Sequence, residues 1–137
     1  MLPTIDTLRE NFALLGEWES RYGYVLDLGK KLEPLPDIYK TDEAKVQGCT
    51  AQVWLIPQPS TVGHMTFGAD SDAHLVRGLI AILTIVYNNQ SYAHVREFDI
   101  ENFFNQLGLS EHLSPNRRNG FFAMVARIKR LASEEGA

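Results

Sequence analysis

The sequence has a single cysteine, Cys49, among 137 residues. One cysteine cannot form an intramolecular disulfide or supply the thiolates of a zinc site that needs two or more cysteine ligands. Long apolar runs are also missing: the longest apolar stretch, Leu79 to Val86 with Thr84 inside it, is far short of the ~20 residues that span a bilayer. Residues 1–3 contain no signal-peptide region. We therefore expect a cytoplasmic protein that is not embedded in a membrane.

The sequence also has fewer positively than negatively charged residues. Lys and Arg total 13 against 17 Asp and Glu, for a net charge of −4. Binding to nucleic acid or to an anionic membrane surface needs clustered positive charge, so we expect neither partner. The composition, 45% apolar and 22% charged, is that of a globular protein, and the length favours one domain over residues 1–137.

Apolar residues recur every three or four positions in several segments, which predicts amphipathic helices. Two helices open the chain, the first capped by Thr4 and the second ended by Gly29 in a left-handed conformation. A helix over residues 73–87 is apolar on nearly every side, so we expect it to be buried. Gly78 in its middle is acceptable if another backbone packs closely there. Its N-cap candidates are Asp70, Ser71 and Asp72.

Three more helices are predicted in the second half: a short one over residues 91–98, one capped by Asp99 and closed by Gly108, and a last one beginning at Ser114 and Pro115. The apolar period changes to two in residues 50–56, and residues 64–67 are a second strand candidate; together they indicate a hairpin. We therefore predict an α+β fold in which a small antiparallel sheet packs against several helices.

Cys49 is the residue best suited to chemistry, and it follows Gly48 at the entry to the first predicted strand. Two interpretations are open, a small buried hydrophobic residue or a reactive thiol in a loop. Reactivity requires a thiolate, and a thiol of ordinary pKa, about 8.5, is only slightly ionised at pH 7. A nearby cation would raise that fraction. The candidates are Lys45, close in sequence, and Arg117 or Arg118, which the fold can bring close.

The sequence offers little support for other kinds of active or metal site. The four histidines share no metal-ligand spacing, so we expect no metal site. A Cys–His hydrolase stays open because its partners are adjacent only in space, although only His64 has a local argument for reaching Cys49. Asp70 and Asp72 could form a general acid–base pair, but helix capping is the simpler interpretation of both. Trp54, on the polar face of its strand, is either an exposed contact surface or covered by a helix.

Three segments form a recognisable set, and they occur in order along nearly the whole chain, from about Ile5 to Leu131. They are Gly48-Cys49-Thr50-Ala51-Gln52-Val53-Trp54; Gly68-Ala69-Asp70-Ser71-Asp72-Ala73 followed by Val76-Arg77-Gly78-Leu79; and His112-Leu113-Ser114-Pro115-Asn116-Arg117-Arg118-Asn119-Gly120. The first resembles the Gly-Cys-x-x-Gln-Val-Trp signature of the SufE family of sulfur-acceptor proteins. The others resemble that family's segments at the start of its buried helix and of its last helix.

The resemblance implies a fold similar to the iron–sulfur scaffold IscU and a partner, a SufS-type cysteine desulfurase. That enzyme carries pyridoxal phosphate, whereas the chain itself is expected to need no cofactor. Members of the family take persulfide sulfur from the desulfurase, stimulate it, and pass the sulfur to a SufB-type scaffold; they are often homodimers. The implied residues are Cys49 as acceptor, Gly48, Gln52 and Trp54 as loop support, and Asp72 and Arg117 in loop packing and desulfurase docking.

The single cysteine agrees with that role. Sulfur transfer needs one thiolate on the acceptor and no metal, whereas assembling a cluster unaided would demand several thiolates. The chain would then be a sulfur-transfer partner of an enzyme rather than an enzyme on its own. The alternative is a non-catalytic regulatory module that binds the desulfurase without accepting sulfur.

Overall fold

The computed structural model describes residues 2–59 and 62–135. This part of the chain contains six α-helices and three strands. In chain order they are α1 (Ile5–Leu14), α2 (Trp18–Lys31), β1 (Val53–Gln58), β2 (His64–Ser71), α3 (His74–Tyr87), β3 (Gln90–Ser91), α4 (Tyr92–Glu97), α5 (Ile100–Gln106) and α6 (Pro115–Glu135). The strands form one antiparallel sheet in the order β1-β2-β3. The α+β prediction is confirmed.

Helix α3 lies at the centre of the fold, as its apolar composition predicts. It packs against α2, β2 and α6, and Leu79, Ile82 and Val86 are almost completely buried. In the described residues, no helix combines the length and the apolar composition of a bilayer span.

Two glycines allow α2 and α3 to approach closely. A Cβ on Gly78 would lie 2.2 Å from the Val25 carbonyl oxygen, and one on Gly29 would lie 2.8 Å from the Gly78 amide nitrogen. The prediction for Gly78 is therefore confirmed. The prediction that Gly29 ends α2 is wrong, because the helix continues to Lys31. Close packing of two backbones, rather than helix termination, requires glycine there.

The predicted N-caps of the buried helix are wrong, because β2 continues to Ser71, four residues beyond its predicted end. The N-cap of α3 is Ala73, which offers no side-chain cap. The Asp70 carboxylate is 2% exposed and forms ion pairs with Arg77 and Lys40. A buried carboxylate needs such partners, and they fix Asp70 in the strand.

Residues 32–52 connect α2 to β1 along the outer edge of β1. The Val46 amide donates to the Val53 carbonyl at 2.9 Å, and the Leu55 amide donates to the Ala44 carbonyl at 2.9 Å. The same connection covers the Trp54 ring, which packs with Leu35 and Ala44 and is 9% exposed. Trp54 therefore does not form an exposed contact surface. It is covered, as one alternative expects, but by this connection rather than by a helix.

The local helix signals are otherwise reliable. Thr4, Asp99 and Ser114 each accept a hydrogen bond from a backbone amide in the first turn of α1, α5 and α6. Gly108 follows α5 with φ of +71°. Strand β3 is not predicted from the sequence, because its two residues pair only with His64 and Met65 and are too few to show a period.

Candidate functional site

Cys49 lies in the loop before β1 and is partly buried. Gly48 has φ of +93°, which L side chains rarely adopt, so the chain turns sharply just before the cysteine. The Cys49 thiol donates a hydrogen bond to the Gly120 carbonyl of α6, with Sγ and O 3.6 Å apart. Cys49 thus lies in a loop, as one interpretation expects, and is partly buried, as the other expects. Its reactivity stays a prediction.

A cavity of about 10 Å³ lies beside the thiol, between the Cys49 loop, α3 and α6. This is roughly the volume of one water-sized sphere. Its apolar walls come from α3 and α6: Val76, Leu79, Phe121 and Met124. Gly120 lines the cavity on the α6 side, and a Cβ at that position would be in van der Waals contact with Sγ, 3.4 Å away.

Burial raises the pKa of the Cys49 thiol above its ordinary value. This direction is opposite to the cation-induced lowering that would activate a thiol. The site therefore holds a neutral thiol at rest. Deprotonation, and attack on another sulfur, are favoured only when the thiol leaves this environment or when an anion-stabilising group acts on it.

The three candidate cations behave differently. Arg118 donates to the Ser110 carbonyl at 2.9 Å, and neither it nor Lys45 lines the cavity. Arg117 does line it, and its Nη1 nitrogen is buried without a hydrogen-bond partner among the described residues. Of the three cations, the structure brings Arg117 to the cysteine.

The segment between Cys49 and β1 is held by the end of β2. The Asp72 carboxylate accepts hydrogen bonds from the Gln52 amide, at 3.1 Å, and from Gln52 Nε2, at 3.2 Å. The hydroxyl of Ser71 donates to the Gln52 carbonyl at 2.7 Å. Asp72 is therefore a clamp on Gln52 and not a helix cap. This geometry agrees with the loop-packing positions expected for both residues, whose roles in function stay predictions.

The structure separates His64 from the cysteine, and no histidine of the described residues lines the cavity. His64 begins β2, whereas the Cys49 loop lies beyond the other end of that strand, where Val53 pairs with Ser71. Seven residues at about 3.3 Å each separate the two ends, so the local argument for His64 is wrong. None of the residues lining the cavity is a histidine or a carboxylate, and a Cys–His hydrolase has no support in this geometry. No three His, Cys, Asp or Glu side chains lie close enough for a metal ion within residues 2–59 and 62–135.

Sequence reasoning gave no role to Gly120. It lies inside α6, where glycine costs about 1 kcal/mol of helix stability relative to alanine. That cost is the one local signal that something must approach the helix backbone at this position. The partner, a thiol far away in the sequence, is visible only in the fold.

Fold and site together define a class: α+β proteins that carry one partly buried thiol in a loop against a helix. A family model described as "SufE: Fe-S metabolism associated domain" matches residues 6–132. An uncharacterized SufE-like protein of Rhizobium meliloti is 41% identical over 131 residues, covering 93% of this chain and 94% of the relative. The chain therefore belongs to the SufE family.

Two further comparisons agree with that assignment. An uncharacterized SufE-like protein of Rhizobium etli is 40% identical over 139 residues, covering 99% of this chain and 94% of the relative. The solution structure of a hypothetical protein from Thermus thermophilus superposes with a TM-score of 0.77, at 21% identity and 98% coverage of each chain. That structure shares the fold.

Proposed function

We propose that this protein accepts sulfur on Cys49 from the persulfide of a SufS-type cysteine desulfurase, stimulates that enzyme, and delivers the sulfur to a SufB-type iron–sulfur scaffold in the cytoplasm. The observation that carries the proposal is the position of the thiol. The chain's one cysteine lies in a loop rather than in the core, and a single hydrogen bond to Gly120 holds it beside a small cavity. Membership of the SufE family supports the same role.

The transfer is a thiol–disulfide type of exchange. The Cys49 thiolate attacks the terminal sulfur of the protonated persulfide on the desulfurase, a new S–S bond forms on Cys49, and the desulfurase cysteine leaves as a thiolate. One sulfur atom with its proton moves between two cysteines, so no oxidant, reductant or metal is consumed. The pyridoxal phosphate stays on the desulfurase, and this chain contributes the accepting thiol. A thiolate of the scaffold then removes the sulfur by the same step.

The resting geometry opposes that attack, because burial keeps the thiol neutral. We infer that docking of the desulfurase draws Cys49 out of its site on α6. Three features support this movement. Gly48 and Thr50 on either side of the cysteine are exposed, Gly48 has a positive φ, and an S–H···O contact of 3.6 Å is weak. Return of the loop would shield the loaded sulfur, which is sensitive to oxidation.

The decisive experiment mixes the protein with a SufS-type desulfurase and cysteine and measures the intact mass. We expect one extra sulfur atom that a reductant removes and that Cys49→Ser does not acquire. Stimulation of the desulfurase by Cys49→Ser, without a sulfur adduct on the wild type, would instead establish the regulatory module. Homodimer formation stays a prediction, to be measured by sedimentation of the same samples.

A further inference from the structure

Arg117 has an unusual environment for an arginine in the first turn of a helix. Its Nη1 nitrogen is buried and has no hydrogen-bond partner among the described residues. The Arg117 side chain as a whole is only partly buried, but leaving a buried guanidinium N–H group without an acceptor is costly. The position in the first turn of α6 adds to that cost, because a cation there opposes the helix dipole. Neither packing nor helix stability explains this placement, which points to an anion that the site receives during function.

The anion that fits is one delivered to the cavity beside Cys49. Arg117 and Gly120 lie one turn apart on α6, on the face that meets the Cys49 loop, and both line the cavity. Arg117 is the only charged residue that lines it in the described part of the chain. The loop contributes Thr50 and Ala51, and the remaining lining residues of α3 and α6 are also uncharged.

We propose that Arg117 binds the terminal sulfur of the Cys49 persulfide in its anionic form. This inference rests on the proposed function and deepens it, since it names the state of the cysteine that the site is built to hold. The cavity is on the scale of the single atom that loading adds, about one water-sized sphere. Arg117 is thus a sulfur-binding residue, in addition to any part it plays in docking.

The chemistry of thiol and persulfide makes the arginine selective. A persulfide is a stronger acid than the thiol from which it forms. The resting thiol stays protonated and donates to Gly120. The loaded group releases its proton to solvent, Cys49–S–SH giving Cys49–S–S⁻ and H⁺, without any change of oxidation state. The resulting anion accepts a charge-assisted hydrogen bond from the guanidinium of Arg117. Empty and loaded cysteine therefore use different partners.

The test removes the desulfurase, so that docking plays no part. Cys49 is loaded with sulfur from inorganic polysulfide, loading is checked by intact mass, and the persulfide is titrated by its rate of alkylation as a function of pH. A neighbouring cation lowers the pKa of an acid by about 1–3 units. We therefore expect Arg117→Gln and Arg117→Met to reduce the anionic fraction at least about tenfold at pH values well below the persulfide pKa of the wild type. Arg117→Lys should restore part of it.

The matched control is Arg118→Gln, which removes the charge next to Arg117 in the sequence. Arg118 donates to the Ser110 carbonyl and does not line the cavity. The persulfide of this variant should titrate like that of the wild type. Identical titration curves for the wild type and both neutral variants would overturn the proposal.

A measurement on the wild type covers the case in which the variants do not fold. The side-chain nitrogen resonances of Arg117 should shift when Cys49 is loaded and should not shift when Cys49→Ser is treated with polysulfide. Unchanged resonances on loading would refute the proposal. Failure of a desulfurase to load Cys49, with Arg117 dependence intact after polysulfide loading, would refute only the proposed function.

Discussion

The Cys49 thiol and the Gly120 carbonyl lie 3.6 Å apart although 71 residues separate them in the sequence. Glycine leaves the backbone of α6 open to the sulfur, since a Cβ at this position would already be in van der Waals contact with Sγ. The thiol is thereby held between the loop before β1 and a helix that packs into the core. Its reactivity should depend on how firmly each side holds it.

Substitution of Gly120 tests the helix side of the contact. Gly120→Ala places a Cβ in van der Waals contact with Sγ, 3.4 Å away, at the wall of a cavity of only about 10 Å³, so we expect the thiol to spend more time outside and to be alkylated faster at neutral pH. Gly23→Ala is the control, because nothing lies within 4 Å of a Cβ at that position in α2. It should stabilise the protein by about 0.5–1 kcal/mol and leave the alkylation rate unchanged. Equal rates for wild type and Gly120→Ala would contradict the prediction.

Substitution of Asp72 tests the loop side. Asp72→Ala removes both hydrogen bonds to Gln52, which at an exposed position should cost about 1 kcal/mol. Hydrogen exchange at the Gln52 amide and alkylation of Cys49 should both become faster. Asp99→Ala, which removes the N-cap of α5, should cost a similar ~1 kcal/mol of stability and leave the alkylation rate of Cys49 unchanged. If both variants accelerate alkylation equally, global stability and not the Gln52 clamp controls the loop.

The raised pKa of Cys49 predicts a pH dependence of stability. Burial favours the protonated thiol in the folded state, so the folded protein binds this proton more tightly than the unfolded chain does. The stabilisation is fully present below the unfolded pKa, about 8.5, and is lost as the pH rises through the folded pKa. The difference in unfolding free energy between wild type and Cys49→Ser should therefore be smaller at about pH 10 than at about pH 7. A constant difference across this range would show that burial does not perturb the thiol.

The buried carboxylate of Asp70 predicts a large effect on stability. Asp70→Asn leaves Arg77 and Lys40 without their shared partner, and breaking a buried ion pair from one side costs about 3–5 kcal/mol. Urea unfolding measures the loss. Asp37→Asn is the control, since its pair with Lys40 has a carboxylate side chain that is 97% exposed, and it should change stability by less than about 0.5 kcal/mol. A small loss for Asp70→Asn would mean that the connection over Trp54 does not depend on this carboxylate.

Local sequence signals predicted the parts of the fold that short segments decide. Thr4, Asp99 and Ser114 cap helices because a cap bonds to amides only two or three residues away. The spacing of apolar residues identified the central helix because helical periodicity is likewise set by residues three or four positions apart. These signals failed where a distant partner overrides them, as when Gly29 packs on Gly78 instead of ending α2.

The candidate site divides in the same way. Its nucleophile could be read from the sequence, because the chain has one cysteine, and the three motifs named the family that the comparisons confirm. Three features of the site could not be read from the sequence: the direction of the pKa shift of the thiol, the hydrogen bonds of Asp72 to Gln52, and the approach of Arg117 to Cys49. Each depends on the solvent exposure and the neighbours of a side chain.

The sequence by itself therefore determined the class of elements, most helix starts, the family and the identity of the thiol. Only the tertiary structure decided that the thiol rests neutral against Gly120, with the guanidinium of Arg117 beside it. The physical reason is that desolvation and charge pairing arise between groups brought together by packing, and the spacing of residues along the chain carries no record of them.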